Sequence, residues 1–390
     1  MTGPMILPGA AVNGQQATLG VMGGGQLGRM FVQAAQRMGY FTVVLDPDVI
    51  SPAGLVSHYH IRTDYLDQDG LAQLMQRCAA ITTEFENVPA AALMTLGAAR
   101  PVAPGAESVA IAQDRAREKA HFVRCGVACA PYEVIETAAQ LQGIADDLLP
   151  GILKTARLGY DGKGQIRVKT RSELASAWES LGAVPCVLEK ILSLKAECSV
   201  IVARGWDGTM VNLPLQLNLH RDGILAVTEV HEGNVSPALA EKAVAATKAI
   251  AQELQYVGVL CVEFFVLQDD RLIVNEMAPR PHNSGHYSMD ACDQSQFDLQ
   301  VRTLAGLPLA QPRQHSPAIM LNLLGDLWRD GVTPAWDQVL ALPGVHLHLY
   351  GKLKASKGRK MGHLTVTGTT VADVRATALT AASLLGLEPF

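Results

Sequence analysis

Charged residues make up only 18% of this 390-residue chain, aromatic residues 5%, and the net charge is −5 with histidine neutral. A chain without a basic excess has no electrostatic footprint for a polyanion, so nucleic acid is not an expected partner. The seven cysteines, at 78, 125, 129, 186, 198, 261 and 292, include no Cys-x-x-Cys pair and no histidine spacing of a zinc module. That pattern reads as buried thiols in a reducing cytoplasm. No window reaches the roughly 20 unbroken apolar residues of a membrane span, so no membrane partner is expected. Residues 1–17 contain no Lys or Arg, so they lack the basic start of a secretory signal and read as a disordered lead-in. What is abundant is apolar: 48% hydrophobic residues over 390 positions supply a large core and imply two or three domains.

The first organised unit is an apolar strand from Thr18 to Met22, a glycine turn, an Ala-rich amphipathic helix from about Gln26 to Met38 and a second strand from Phe41 to Leu45. The turn, Gly23-Gly24-Gly25-Gln26-Leu27-Gly28, is a G-x-G-x-x-G in the strand-to-helix setting of a dinucleotide site, with Asp46 about twenty residues on. Two readings stand here. One is NAD binding with Asp46 on a ribose, and the other is a doubly wound domain whose glycines serve close packing or another ligand. Further on, Glu84 and Glu86 follow a short strand, Ala80 to Thr83. If that strand continues they share a face and could meet ribose hydroxyls; otherwise they are solvated acids. The run Asp114-Arg115-Ala116-Arg117-Glu118-Lys119 reads as a solvated helix face.

A second glycine loop lies between two strands: Gly151 to Lys154, then Gly159-Tyr160-Asp161-Gly162-Lys163-Gly164-Gln165, then Ile166 to Lys169. Three glycines in six residues exceed what a plain hairpin needs. The backbone N–H groups of such a loop can close over phosphates, with Lys154 and Lys163 adding positive charge. Cys186 to Ile191 is an apolar strand with a polar end, Glu189-Lys190, suited to pairing an adenine with backbone groups. In Val259 to Val266 a single acid, Glu263, interrupts an apolar strand. A buried carboxylate requires a partner or a metal. The hairpin that follows returns to Asn275-Glu276, so two carboxylates on adjacent antiparallel strands offer hard oxygen ligands for Mg²⁺ on a triphosphate. After them, Pro279 and Pro281 stiffen the backbone, so that Glu276, Arg280 and His282 are expected on a rigid extended loop.

Lys154, the Gly159 to Gln165 loop, Glu189, Glu263 and Asn275-Glu276, in that order, resemble the ATP-grasp superfamily. Gly23 to Met30, Gly159 to Gln165 and Ala278 to His286 more narrowly resemble the N5-carboxyaminoimidazole ribonucleotide synthetase family of de novo purine biosynthesis, over residues from about 18 to the C-terminus. The resemblance implies an α/β architecture with α+β character in its C-terminal part: a Rossmann-like preATP-grasp domain at 18–115, a small central domain at 116–192 and a C-terminal antiparallel-sheet domain at 193–390. It implies ATP contacts from Arg115, Lys154, Gly159, Tyr160, Asp161, Gly162, Lys163, Gly164, Gln165, Glu189, Lys190, Ile191, Leu192, Glu197, His220, Asn275 and Glu276. Arg115 thereby leaves the solvated-face reading. It implies two Mg²⁺ ions on Glu263 and Glu276, and contact of Tyr160, Asp161, Arg280, His282, Asn283 and Ser284 with 5-aminoimidazole ribonucleotide and the bicarbonate-derived intermediate. The 5′-phosphate falls to the basic tail, with Lys352, Arg359 and Lys360. Asp161, Arg280 and His282 are the expected catalytic residues, with Asp161 orienting or deprotonating the amine, in a cytoplasmic homodimer.

The implied chemistry is attack of bicarbonate on the γ-phosphoryl of ATP, giving carboxyphosphate and ADP, then transfer of the carboxyl group to the exocyclic amine. Three alternatives keep parts of the same sequence pattern. A biotin carboxylase-like or formate-dependent glycinamide ribonucleotide transformylase-like ligase would keep the ATP residues but differ at Arg280 to His286. An NAD-dependent oxidoreductase would rest on the first glycine turn, and a non-catalytic nucleotide-binding module would have no use for both Glu263 and Glu276.

Overall fold

The computed structural model describes residues 3, 5–12, 14–159 and 164–390. The N-terminal unit is built from β1 (Thr18–Met22), α1 (Gln26–Arg37), β2 (Phe41–Leu45), β3 (Tyr59–Ile61), α2 (Gln68–Arg77) and β4 (Ala80–Thr83). Its four strands are parallel, in the order β3-β2-β1-β4. Every residue of β1 and β4 is buried, as strands covered on both faces by helices must be. In α1 the buried positions Leu27, Met30, Phe31, Ala34 and Ala35 recur at helical spacing, which gives one apolar face.

The stretch before β1 differs from the expected disordered lead-in. Ala11–Val12 pairs with Gln15–Gln16, and Ile6 is buried, its N–H donating to Ala305 and its carbonyl accepting from the Tyr40 hydroxyl. An apolar side chain with a ready pocket is enough to hold a short segment down.

The helix α3 (Arg115–Arg124), capped by the Asp114 carboxylate on the Ala116 and Arg117 N–H groups, leads into a small antiparallel sheet. Its strands β5 (Tyr132–Ile135), β6 (Gly151–Thr155), β7 (Gln165–Val168) and β8 (Cys186–Lys190) run in the order β5-β8-β6-β7. Among the described residues the largest sheet has nine strands. Its main path is β13-β12-β9-β10-β11-β14-β16-β15, with β9 (Leu194–Arg204), β10 (Gln216–Arg221), β11 (Ile224–Val230), β12 (Gly258–Leu267), β13 (Leu272–Ala278), β14 (Ala318–Leu324), β15 (Val345–Leu349) and β16 (Lys360–Thr367). The helices α4 (Pro237–Glu253), α5 (Ser288–Ala291), α6 (Gln296–Ala305) and α7 (Val371–Leu384) complete this part. Phe297, Val301 and Leu304 of α6 share one core with Leu27, Met30 and Phe31 of α1, so the first sheet and the largest are joined by packed apolar side chains.

No helix among the described residues is long and apolar enough to cross a membrane. All seven cysteines are free.

Candidate active site

The glycine turn is filled by the protein's own carboxylates. Glu84 accepts hydrogen bonds from the Gly25 N–H at 2.7 Å and the Gly28 N–H at 2.9 Å, and Asp46 accepts from the Gly24 N–H at 2.7 Å and the Tyr65 hydroxyl at 2.6 Å. These N–H groups at the start of α1 are those a pyrophosphate would need. A Cβ on Gly25 would stand 2.4 Å from Glu84 Oε1, so glycine is required here for the approach of a side chain within the chain. The dinucleotide reading is therefore corrected: Asp46 is buried, with Oδ2 accepting from Gly24 and Tyr65 and Oδ1 from the Asp48 N–H. The pairing of Glu84 with Glu86 on one strand face is corrected as well, because β4 stops at Thr83. Glu84 turns into the glycine turn, while Glu86 turns to Arg280.

A cleft of about 750 Å³ lies between the three sheets. One end is acidic. Glu263 of β12 stands opposite Glu276 of β13 in the antiparallel register, as the reading of two adjacent strands expected, so Glu276 belongs to the strand and not to the loop that carries Arg280 and His282. Burial, and next the neighbouring Glu276 charge, push the Glu263 carboxyl up to about 7. Glu118, whose carboxylate accepts the Met277 N–H at 2.7 Å, is pushed up to about 8, again by burial and then by Glu276. Arg115 lies 3.2 Å from Glu276. Glu263 Oε1 and Asn275 Oδ1 are buried without a hydrogen-bond partner. Orphaned oxygens beside crowded carboxylates are costly in isolation and fit a divalent cation. Two carboxylates and an amide oxygen leave most positions around Mg²⁺ to water and phosphate, its usual arrangement.

The other end is basic. Arg280 is ion-paired with Glu86, which drives the Glu86 carboxyl down to about 2 against its burial. His282 lies with Nδ1 2.9 Å from Ser284 Oγ and Nε2 3.4 Å from Glu263 Oε1. Burial, then Arg280, hold its ring far below the usual imidazole range, so it is neutral. Asn283 lines the cleft with both polar side-chain atoms unpartnered. Lys352, Arg359 and Lys360 close this end. The Gly358 N–H donates to Asp326 at 2.7 Å and the Arg359 guanidinium to the Lys354 carbonyl at 2.6 Å, which fixes the loop between β15 and β16.

The cleft thus gathers Arg115, Gly159, Glu263, Glu276, Arg280, His282, Asn283, Lys352, Arg359 and Lys360 from distant stretches. Other residues expected at the site lie outside its lining. Lys154 and Glu189 are buried and paired with each other at 3.1 Å. His220 pairs with Glu197 at 2.8 Å; burial pulls that imidazole down, but Glu197, Glu263 and Glu276 together outweigh it and leave it raised. Ser284 faces inward and accepts from Ser199 at 2.8 Å, so it supports His282 and does not line the cleft. Lys190, Ile191 and Leu192 close the small sheet, with the Lys190 and Ile191 N–H groups donating to Pro131 and Pro150. Gln165 begins β7, and just before it the Gly164 carbonyl accepts from the Thr155 N–H. Tyr160, Asp161, Gly162 and Lys163 lie outside the described residues.

The charged run at 114–119 is not a solvated face. Glu118 and Lys119 are buried, and Lys119 Nζ is 3.3 Å from Glu189 Oε1. One signal was available: Arg115, Glu118, Lys119 and Phe122 recur at i, i+3, i+4 and i+7 on one helix face. Nothing in the sequence marked Glu86 as the partner of Arg280.

Comparison with known proteins gives three family matches: the ribonucleotide synthetase preATP-grasp domain at residues 16–113, the ATP-grasp domain at 120–297, and the phosphoribosylaminoimidazole carboxylase C-terminal domain at 318–377. An N5-carboxyaminoimidazole ribonucleotide synthase of Brucella melitensis is 42% identical over 352 residues, covering 90% of this chain and 96% of that protein. Among solved structures, an N5-carboxyaminoimidazole synthetase of Staphylococcus aureus complexed with ADP matches with a TM-score of 0.87 at 36% identity, over 97% of this chain and 100% of that one. A synthase of Aspergillus clavatus in complex with ADP and 5-aminoimidazole ribonucleotide matches with a TM-score of 0.86 at 31% identity, over 95% and 99%.

Proposed function

The chain belongs to the N5-carboxyaminoimidazole ribonucleotide synthase family, an ATP-grasp ligase catalysing ATP- and bicarbonate-dependent carboxylation of 5-aminoimidazole ribonucleotide through carboxyphosphate, and from that premise we propose how its residues divide the work. The observation that carries the assignment is the polarity of the cleft: orphaned acid and amide oxygens at one end, and an arginine, a neutral histidine, an unpartnered asparagine and a basic loop at the other. The first end suits a metal-bound triphosphate, the second an anionic acceptor.

ATP is proposed to contact Arg115, Lys154, the 159–165 loop, the 189–192 strand end, Glu197, His220 and Asn275-Glu276. Glu263 and Glu276 would hold Mg²⁺, which when bound neutralises charge on the phosphate oxygens. Arg280 holds bicarbonate by its guanidinium fork, with His282 and Asn283 as neutral donors and acceptors beside it. A bicarbonate oxygen attacks the γ-phosphorus; ADP departs with the electron pair of the broken P–O bond, and carboxyphosphate remains at Arg280. The exocyclic amine, directly or after release of CO₂, takes the carboxyl group as phosphate leaves, and gives up one proton to a base. Asp161 is proposed as that base or as the group orienting the amine. The ribonucleotide 5′-phosphate is assigned to Lys352, Arg359 and Lys360, and the 159–165 loop to excluding water from the labile intermediate. A cytoplasmic homodimer is the proposed setting, which analytical ultracentrifugation would test for the oligomer.

The test is ADP release measured across acceptors. Release is expected to require bicarbonate and 5-aminoimidazole ribonucleotide together; equal release with biotin, or with formate and glycinamide ribonucleotide, would overturn the acceptor assignment.

A further inference from the structure

Behind the acceptor end of the cleft lies a histidine cluster that the carboxylation chemistry does not use. His346 and His348 alternate on β15, and so face the same side of the sheet, and His348 stands opposite His363 of β16 in the antiparallel register. Asp290 of α5 reaches across to both: its carboxylate is 2.9 Å from His348 Nε2 and 3.7 Å from His346 Nδ1. One ligand atom from each of Asp290, His348 and His363 lies within 4.8 Å of the other two.

His363 supplies the second observation. It is completely buried, its Nδ1 is 3.0 Å from the Tyr350 hydroxyl, and its Nε2 has no hydrogen-bond partner. When Nδ1 donates to the phenol oxygen, Nε2 is a bare lone pair enclosed by protein. That is the tautomer a metal ligand requires, with the phenol as the outer partner that orients the ring.

We propose that Asp290, His348 and His363 form a binding site for a divalent transition-metal ion of the Zn²⁺ class, separate from the carboxylate site for Mg²⁺. Two imidazoles and a carboxylate suit Zn²⁺, Co²⁺ or Ni²⁺ and not Mg²⁺, which prefers an all-oxygen shell. A fourth position falls to water or to His346. The rings of His348 and His363 stack with centroids 4.5 Å apart at 14°, so their in-plane ligand directions lie in nearly parallel planes. Closing on an ion requires one ring to turn, and His348, the more exposed of the two, has the room. Binding replaces the hydrogen bond between His348 Nε2 and Asp290, and the displaced proton moves to Nδ1 or to solvent. An ion there ties α5 to β15 and β16 directly behind His286 and Tyr350, which line the cleft.

The test uses Co²⁺ with the full chain, with excess Mg²⁺ and ADP to occupy the carboxylate end. Equilibrium dialysis and the visible d–d spectrum are expected to show one Co²⁺ per chain in a low-coordinate nitrogen and oxygen environment, displaced by Zn²⁺. His348→Gln and Asp290→Asn, both at partly exposed positions, are expected to lose the band while keeping the metal-free near-ultraviolet circular dichroism of the wild type. Glu276→Gln is expected to retain the band. Zn²⁺ is expected to raise the Tm of the wild type and not that of His348→Gln. A band that survives in both His348→Gln and Asp290→Asn, a band lost in Glu276→Gln alone, or no bound Co²⁺ would each overturn the site.

Discussion

Replacing Glu276 with glutamine removes one negative charge and keeps the side chain's shape, so it separates the metal role of this residue from its packing. Its ion pair with Arg115 is 3.2 Å long, with 42% of the Glu276 side chain exposed, and such pairs contribute about 0–1 kcal/mol. Against that small loss, the Glu276 charge is the first electrostatic contribution, after burial, that raises both Glu263 and Glu118, and its removal relieves both. The two effects oppose each other, so stability is expected to change by no more than about 1 kcal/mol, a Tm shift of at most about 2–4 °C. Turnover should respond very differently. Loss of one preorganised electrostatic contact to a reacting group costs about 2.7–4 kcal/mol, or about 10²–10³ in kcat. The assay is coupled ADP release at saturating ATP, bicarbonate and ribonucleotide, with Mg²⁺ varied, beside a thermal melt of the same preparation. Turnover within tenfold of the wild type at every Mg²⁺ concentration would remove Glu276 from the metal site. A collapse of the melt would show instead that the residue is structural.

Glu263 is raised from 4.5 to about 7 by burial and by Glu276, so between those values the folded, metal-free chain holds a proton that the unfolded chain has released. Stability should therefore fall as pH rises through that window, by up to about 3 kcal/mol. Urea melts of the wild type against Glu263→Gln should show the slope flattened in the variant, and Mg²⁺ should flatten it in the wild type. Glu86→Gln leaves Arg280 buried with a neutral partner; about 1–3 kcal/mol of stability is expected to be lost, together with a higher KM for bicarbonate, read from melts and initial rates. An unchanged KM would detach Glu86 from the positioning of Arg280. Gly25→Ala would place a Cβ 2.4 Å from Glu84 Oε1 and should destabilise the N-terminal sheet by about 1–3 kcal/mol. Calorimetry with NAD should show no binding to the wild type, since Glu84 already occupies those N–H groups; saturable NAD binding would contradict that account.

The sequence by itself determined the parts that depend on local pattern. Strand, glycine turn and helix at 18–45 follow from apolar periodicity and glycine placement, and the burial of Glu263 follows from a lone acid inside an apolar strand. The pairing of Glu263 with Glu276 followed from two strands and a short turn, which fix an antiparallel neighbour. The narrow family resemblance rested on long motifs, and it was those that pointed to Arg280 and His282, which line the cleft.

What only the tertiary structure decided is which charges meet. The first glycine turn has the spacing of a dinucleotide site, yet Glu84, 56 positions from Gly28, fills it, and no local pattern reports a partner that distant. Glu86 and Arg280 are 194 positions apart, and their pairing depends on how the first sheet docks against the largest one through α1 and α6. Glu118 and Lys119 look solvated in a charged run, because hydropathy averages over the helix, whereas burial depends on which face meets Glu189 and Met277. Motif and periodicity act along the chain and can be read from it. The electrostatic environment of a carboxylate is set by everything within a few ångströms of it, and that neighbourhood exists only once the three sheets have packed.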